Sequence, residues 1–162
     1  MTHAATERPG PNAGRGTRRA ALALTLQIAT RAAAVPGAAR VRRWVSAARP
    51  GPAEITVRIV GLREGRSLNR AFRGKHRATN VLAFAYGRQG GALRGDVVLC
   101  APVIEREARD QSKHLGAHYA HLTVHGVLHL RGYLHDDARQ ALRMERAERL
   151  ILHRLGYPDP YS

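Results

Sequence analysis

Six of the nine histidines lie between positions 114 and 135, and three of them, His125, His129 and His135, have a spacing suited to holding one metal ion. On a helix, His125 and His129 are four residues apart and project from one face, one turn from each other. Gly132 is placed to end that helix in a left-handed conformation and turn the chain back, so that His135 supplies a third nitrogen from the loop. Zinc held by three protein ligands commonly keeps a fourth position open, where it polarises an oxygen or lowers the pKa of a water. The pattern therefore predicts a catalytic rather than a structural site, with one zinc ion per chain. The plain alternative is an ordinary packed helix with solvated histidines. Three histidines at offsets 0, 4 and 10, with a glycine at 7 to make the turn, fit that alternative poorly.

The same offsets occur in metzincin proteases, where a glutamate beside the first histidine acts as general base. Here that position is Gly126, so simple peptide hydrolysis is disfavoured. A glycine instead permits close approach by a substrate backbone or by another segment of the chain. His114, His118 and His121 extend much the same helical face. His121 is expected to support the ligands rather than bind the ion, and the roles of His114 and His118 stay open.

Hydrophobic periodicity locates the elements that must carry these groups. Leu22, Leu24, Leu26 and Ile28 alternate as in a strand. Pro36 opens a helix with Val41, Trp44 and Val45 on one face, and Pro50, Gly51 and Pro52 end it. Ile55, Val57 and Ile59 alternate with Thr56 and Arg58, predicting a strand with one buried face. A short helix turns Leu62, Leu68, Ala71 and Phe72 inward. Strands follow at 81–86 and 96–100, with Gly87, Gly90 and Gly91 in the loop between them. From Pro102 the period becomes helical, and a last amphipathic helix runs from about Ala138 to Leu155, capped by Gly156. The order is mixed, a small sheet with several helices.

A chain of 162 residues, 44% hydrophobic, suits one domain with a sizeable core. Residues 20–162 are read as that domain, and residues 1–19, rich in Pro, Gly and Arg, as a flexible basic leader. Lys plus Arg number 27 against 12 Asp plus Glu, a net charge of +15 that favours a polyanionic partner without naming its sequence. Cys100 is the only cysteine, so no intrachain disulfide is possible; its apolar neighbours suggest a core residue. No apolar run reaches the length of a membrane span, and no membrane partner is expected.

Three separated regions carry a family resemblance: the run from His121 to His135; Leu68 to Lys75 with Ala78 to Phe84; and Met144, Glu145, Glu148, Ile151 and Leu152 with the closing Pro160 and Tyr161. In these, and over about Leu22 to Tyr161, the chain resembles the YbeY family of bacterial single-strand-specific endoribonucleases. The resemblance implies a zinc-dependent cytoplasmic enzyme that matures ribosomal RNA, notably the small-subunit 3′ end, and serves ribosome quality control. Its partners would be single-stranded or precursor ribosomal RNA and the small ribosomal subunit. The implied fold is a small α+β domain, a four-stranded mixed sheet packed with about five helices, with the metal site built from a helix and the following loop. The metal ligands fall on His125, His129 and His135, and the catalytic or substrate-binding arginine falls on Arg73.

Arg73 also has a physical argument of its own, because a guanidinium holds two phosphate oxygens and stabilises charge developing during phosphoryl transfer. A surface ion pair is the plainer role. Lys75 and Arg77 would widen the basic approach to the cleft. Asp96 would orient a histidine or hold a turn, and Asn80 would bond the turn before its strand or touch substrate. Glu145 would face solvent, pair with arginine or buttress the site. Three positions depart from the family pattern: Leu134 and His76 stand where Asp is usual, and Ala83 where Ser or Thr is common. Two other functions stay in contention, a zinc-containing ribosome assembly or RNA-binding factor with little catalysis, and another metal-dependent hydrolase.

Overall fold

The computed structural model describes residues 21–74 and 78–162. The leader at 1–19 lies outside the described residues. Chain order runs β1 (Leu22–Ala29), α1 (Ala38–Ala48), β2 (Ala53–Val60), α2 (Leu62–Arg73), β3 (Val81–Gln89), β4 (Ala92–Cys100), α3 (Ala101–Asp110), α4 (Leu115–Leu130) and α5 (Ala138–Leu155). The strands form one mixed sheet in the order β1-β2-β4-β3. β1 and β2 pair in parallel, as do β2 and β4, while β3 runs antiparallel to β4. This is the α+β architecture that the resemblance implied.

Strand alternation divides the core in two. Ile55, Val57 and Ile59 of β2 and Val97 and Leu99 of β4 are almost wholly buried on the face covered by α1 and α4, with α5 packed on those helices. The other face holds a smaller cluster, Val60, Leu82, Val98, Cys100 and Val103, with Leu68 of α2 packed against it. α1 presents Val41, Trp44, Val45 and Ala48 to the main core, and the buried Trp44 indole donates to the Tyr157 hydroxyl at 3.0 Å, satisfying its N–H. β1 is an edge strand, so its alternation is only partly converted to burial: Leu22 is buried, Leu24 and Leu26 are half-buried and Ile28 is exposed.

The β3–β4 connection is shorter than the glycine content suggests. β3 extends to Gln89 and β4 begins at Ala92, leaving Gly90 and Gly91, at φ 58° and 78°, as a two-residue hairpin turn. Gly87 lies inside β3 at a register irregularity between Ala85 and Arg88, a bulge rather than a loop residue.

α4 passes between α1 and α5 on one side and β3 and β4 on the other. Its seat on the sheet is set by two glycines. A Cβ at Gly126 would stand 2.7 Å from Val97 Cγ1, and a Cβ at Gly95 would stand 2.5 Å from Leu130 Cδ2. Gly126 therefore serves the packing of another segment of the chain. Its replacement by Ala would gain about 1 kcal/mol of helix propensity but overpack a site where such strain costs about 1–3 kcal/mol. Gly126→Ala is expected to lower the urea midpoint, and Val97→Ala should cost less in that background than in the wild type. Additive losses in equilibrium unfolding would show that the two side chains do not compete for the same space.

Candidate metal centre

α4 ends beyond Leu130 in a closed turn. Gly132 takes φ 96°, its N–H reaches the His129 carbonyl at 3.0 Å, and the Tyr133 N–H reaches the Leu128 carbonyl at 3.0 Å. This paired capping pattern turns the chain back across the helix end. His135 is thereby brought beside the two helical histidines, with ring centroids 4.8 Å from His129 and 5.8 Å from His125. One ring nitrogen from each of His125, His129 and His135 lies within 4.8 Å of the others. His125 Nε2 and His129 Nε2 are 3.1 Å apart, close to the spacing of about 3.3 Å that two nitrogens adopt at about 2.0–2.1 Å from one tetrahedral zinc. The donor set fits a metal of that class. The three histidines open onto a cavity of about 340 Å³ with Thr79, Asn80, Val81 and Ala83 on its other wall.

The electrostatic centre of the site is Glu148, on α5 and wholly buried. Its carboxylate accepts from His125 Nδ1, from His121 Nε2 at 3.0 Å and from the Tyr161 hydroxyl. Burial pushes this carboxyl up, yet the hydrogen bonds from His121, His125 and Tyr161 and the charge on His125 outweigh it and hold the pKa at about 2. The same contact, added to burial, raises the Tyr161 hydroxyl well above the usual tyrosine range. Once His125 gives up its second proton, the Nδ1 proton held by Glu148 leaves the Nε2 lone pair free to face His129 and His135. A carboxylate behind a ligand histidine fixes the ring tautomer and raises its basicity.

The remaining sequence-derived residues are distributed unevenly. His121 joins the site through Glu148. Asn80 lines the cavity, and its Nδ2 donates to Glu107 Oε2 at 3.1 Å. Glu107 also receives His118 Nε2 at 3.0 Å, so Asn80 is held from α3. Asp96 does not join them. Strand alternation turns it to the sheet face opposite Val97 and α4, where it accepts from the Tyr86 hydroxyl at 2.7 Å. Arg73 closes α2 beside the left-handed Gly74, and its side chain, with Lys75, His76 and Arg77, lies outside the described residues. Glu145 is 3.9 Å from Arg149 in a surface ion pair. Leu134 is exposed, and the nearby Asp137 caps α5, accepting from Gln140 N at 2.8 Å.

Glu148 and Tyr161 are the members that sequence reasoning left without a role. The signal was present for Glu148: it follows Met144 by four residues and precedes Ile151 and Leu152, so a charged group stands in the buried stripe of α5. Buried charges are rarely unpaired. Tyr161 belongs to a closing segment without periodicity, and only the fold reveals its partner.

The fold and donor set define a small α+β protein with a three-histidine metal-type site at the end of a central helix. The chain matches the family profile Endoribonuclease YbeY over residues 34–156. An Endoribonuclease YbeY of Thiobacillus denitrificans is 57% identical over 141 residues, covering 86% of this chain and 96% of that protein. One of Nitrosomonas eutropha is 56% identical over 138 residues, covering 85% and 97%. This chain belongs to the YbeY family. A Thermotoga maritima protein solved in solution shares the fold at a TM-score of 0.52 and 18% identity, covering 86% of this chain and 99% of that one.

Two outcomes test the hub at Glu148. In the metal-free protein, its lowered pKa contributes stability that is present above the ordinary value of 4.5 and is lost as pH falls toward about 2. Denaturant titrations across that interval should show the loss, and Glu148→Gln should start lower and vary less with pH. Glu148→Gln should also weaken metal binding by about 10–100-fold; affinity equal to wild type in a chelator competition would remove Glu148 from the site's support.

Proposed function

We propose that this protein is a zinc-dependent endoribonuclease that cleaves single-stranded RNA, with one zinc ion held by His125, His129 and His135. The observation that carries this reading is the convergence of the three imidazoles, with Glu148 behind His125, on a cavity of about 340 Å³. Its biological setting is ribosomal RNA processing at the small-subunit 3′ end and ribosome quality control in the cytoplasm, with precursor ribosomal RNA and the small subunit as partners. Family membership supports that setting. The net charge of +15 suits a polyanionic substrate.

When bound, the metal supplies Lewis-acid polarisation of a phosphate oxygen or activation of a nucleophile. The chain supplies the rest. Glu148 fixes the proton of His125 on Nδ1 and, with His121 and Tyr161, keeps that ring oriented. Asn80, braced by Glu107, presents a polar wall opposite the histidines. Arg73 neutralises charge on the phosphoryl group as it becomes pentavalent. Lys75 adds positive charge that favours a phosphate-bearing substrate. Attack by water leaves a phosphate monoester, whereas attack by the adjacent 2′-hydroxyl leaves a cyclic phosphate, and analysis of product ends separates the two.

A protease-like hydrolase finds little support, since the position beside His125 carries a glycine pressed against Val97. A zinc-holding RNA-binding factor with little turnover is the second reading, favoured by Leu134 and Ala83 at positions where the family usually carries polar groups. Ala83 lines the cavity wall and leaves it without a hydroxyl there. Wild type, His125→Ala and Arg73→Ala are to be compared on single-stranded precursor ribosomal RNA with bound metal measured in parallel. His125→Ala is expected to lose both metal and cleavage, and Arg73→Ala to keep metal while cleaving about 10²–10³-fold more slowly. Equal cleavage by all three would overturn the assignments, and metal with RNA binding but no cleavage in wild type would favour the second reading.

A further inference from the structure

Between Ala21 and Ala53 the chain carries five arginines, Arg31, Arg40, Arg42, Arg43 and Arg49, and no acidic residue. Three of them border a groove of about 660 Å³ between α1, the turn after it and the end of α5, with Ala39, Ser46 and Leu155 among its walls. Among the described residues none that lines it is acidic. Each of the three guanidinium groups is tied to a main-chain carbonyl. Arg42 Nη2 donates to Leu22 O at 3.1 Å, Arg43 Nη2 to Leu155 O at 2.7 Å, and Arg49 Nη1 to Gly51 O at 2.5 Å.

Arg88 and Arg131 are tied to main-chain carbonyls in the same way, whereas three other arginines pair with carboxylates. Arg58 is held by both carboxylate oxygens of Glu64 at 2.6 Å, and Arg94 and Arg149 also have acidic partners. Among the described residues no carboxylate pairs with Arg42 or Arg43, both of which are exposed. A guanidinium has five N–H donors in a fixed fork. With one N–H spent on a carbonyl, Arg42 and Arg43 are each held in place, and their charge and remaining donors stay available for a bidentate anion. Two such groups on neighbouring α1 positions, anchored outward to β1 and to α5, present fixed positive charge along the groove without the local neutralisation seen at Arg58.

Among the described residues the groove shares no lining residue with the histidine cavity. The cavity is bordered by Val81 and Ala83 of β3, whereas Arg42 is anchored on β1, and these strands are the two opposite edges of the sheet. Three strand spacings separate the edges, about 14 Å. We propose that the groove lined by Arg42, Arg43 and Arg49 is an accessory surface for the phosphate backbone of RNA, separate from the cleavage site. The proposal rests on the RNA substrate assigned above and adds where a strand too long for the cleft is held. The surface reads phosphate spacing, not bases, and so raises affinity for long RNA without setting the cleavage position.

The test uses the full-length, metal-loaded protein, Arg42→Ala/Arg43→Ala and Arg42→Lys/Arg43→Lys. Binding of a long, cleavage-resistant single-stranded RNA is followed by fluorescence anisotropy over a salt series. Loss of two phosphate contacts should make the slope of log K against log salt shallower by about 1.4 and weaken low-salt binding by about tenfold. The lysine pair should restore the slope, which a folding defect would not do. The ratio of kcat/KM for a long RNA over that for a dinucleotide should fall with the alanine pair. An unchanged slope and affinity in the alanine pair, or a lysine pair as defective as the alanine pair, would overturn the accessory surface. If the slopes shift as expected while no variant cleaves RNA, the surface stands and only the catalytic assignment falls.

Discussion

A carboxylate stripped of water must be compensated by the protein around it, since the penalty for leaving it unpaired is several kcal/mol. Glu148 meets that requirement with three donors from two parts of the chain, His121 and His125 on α4 and Tyr161 in the closing segment. The interaction is reciprocal. The donors keep the carboxylate charged in the core, and the carboxylate dictates which nitrogen of His125 carries its proton. A single buried group thus joins the packing of α5 on α4 to the orientation of a ring in the candidate metal centre. Loosening that packing would reach the site through the same atoms.

α4 is the element through which these demands meet. Its flanks touch helices on one side and strands on the other, and the small side chains at Gly126 and Gly95 let it sit close to the sheet. That closeness brings the His125 face against the wall made by Thr79, Asn80 and Val81, so the cavity is bounded by secondary structure rather than by a long loop alone. Only His135 comes from outside the helix. The Gly132 turn, held by two backbone hydrogen bonds, gives that ligand a defined path back to the other two. Rigid support of this kind suits ligands that must be held in place before the metal arrives.

Much of this was legible in the sequence because it is written in local chemistry. Helical spacing placed His125 and His129 on one face, Gly132 and Gly156 marked helix ends, and alternation found the buried face of β2. Interactions set by tertiary contact were not legible. The exposed side of β1 follows from its place at the sheet edge, which no local pattern states. Gly90 and Gly91 looked like part of a broad loop because composition does not count hydrogen-bonded residues on either side. Asp96 adjoins a glycine that the site needs for packing, yet pleat geometry turns its own carboxylate to the other face. Glu148 stood in view as a charge in an apolar stripe, but its histidine partners are 23 and 27 residues earlier in the chain and across a helix interface.

The close fit at residue 126 also constrains what this scaffold can become. A hydrolase that uses a glutamate beside its first metal histidine needs a side chain where this fold has only a hydrogen, and Val97 already occupies the space into which a Cβ would point. Converting one chemistry into the other would therefore require at least two coordinated changes, a new acid and a hollowed strand, with the first step alone injuring the core. Packing thereby acts as an evolutionary barrier between two catalysts that share the same histidine spacing.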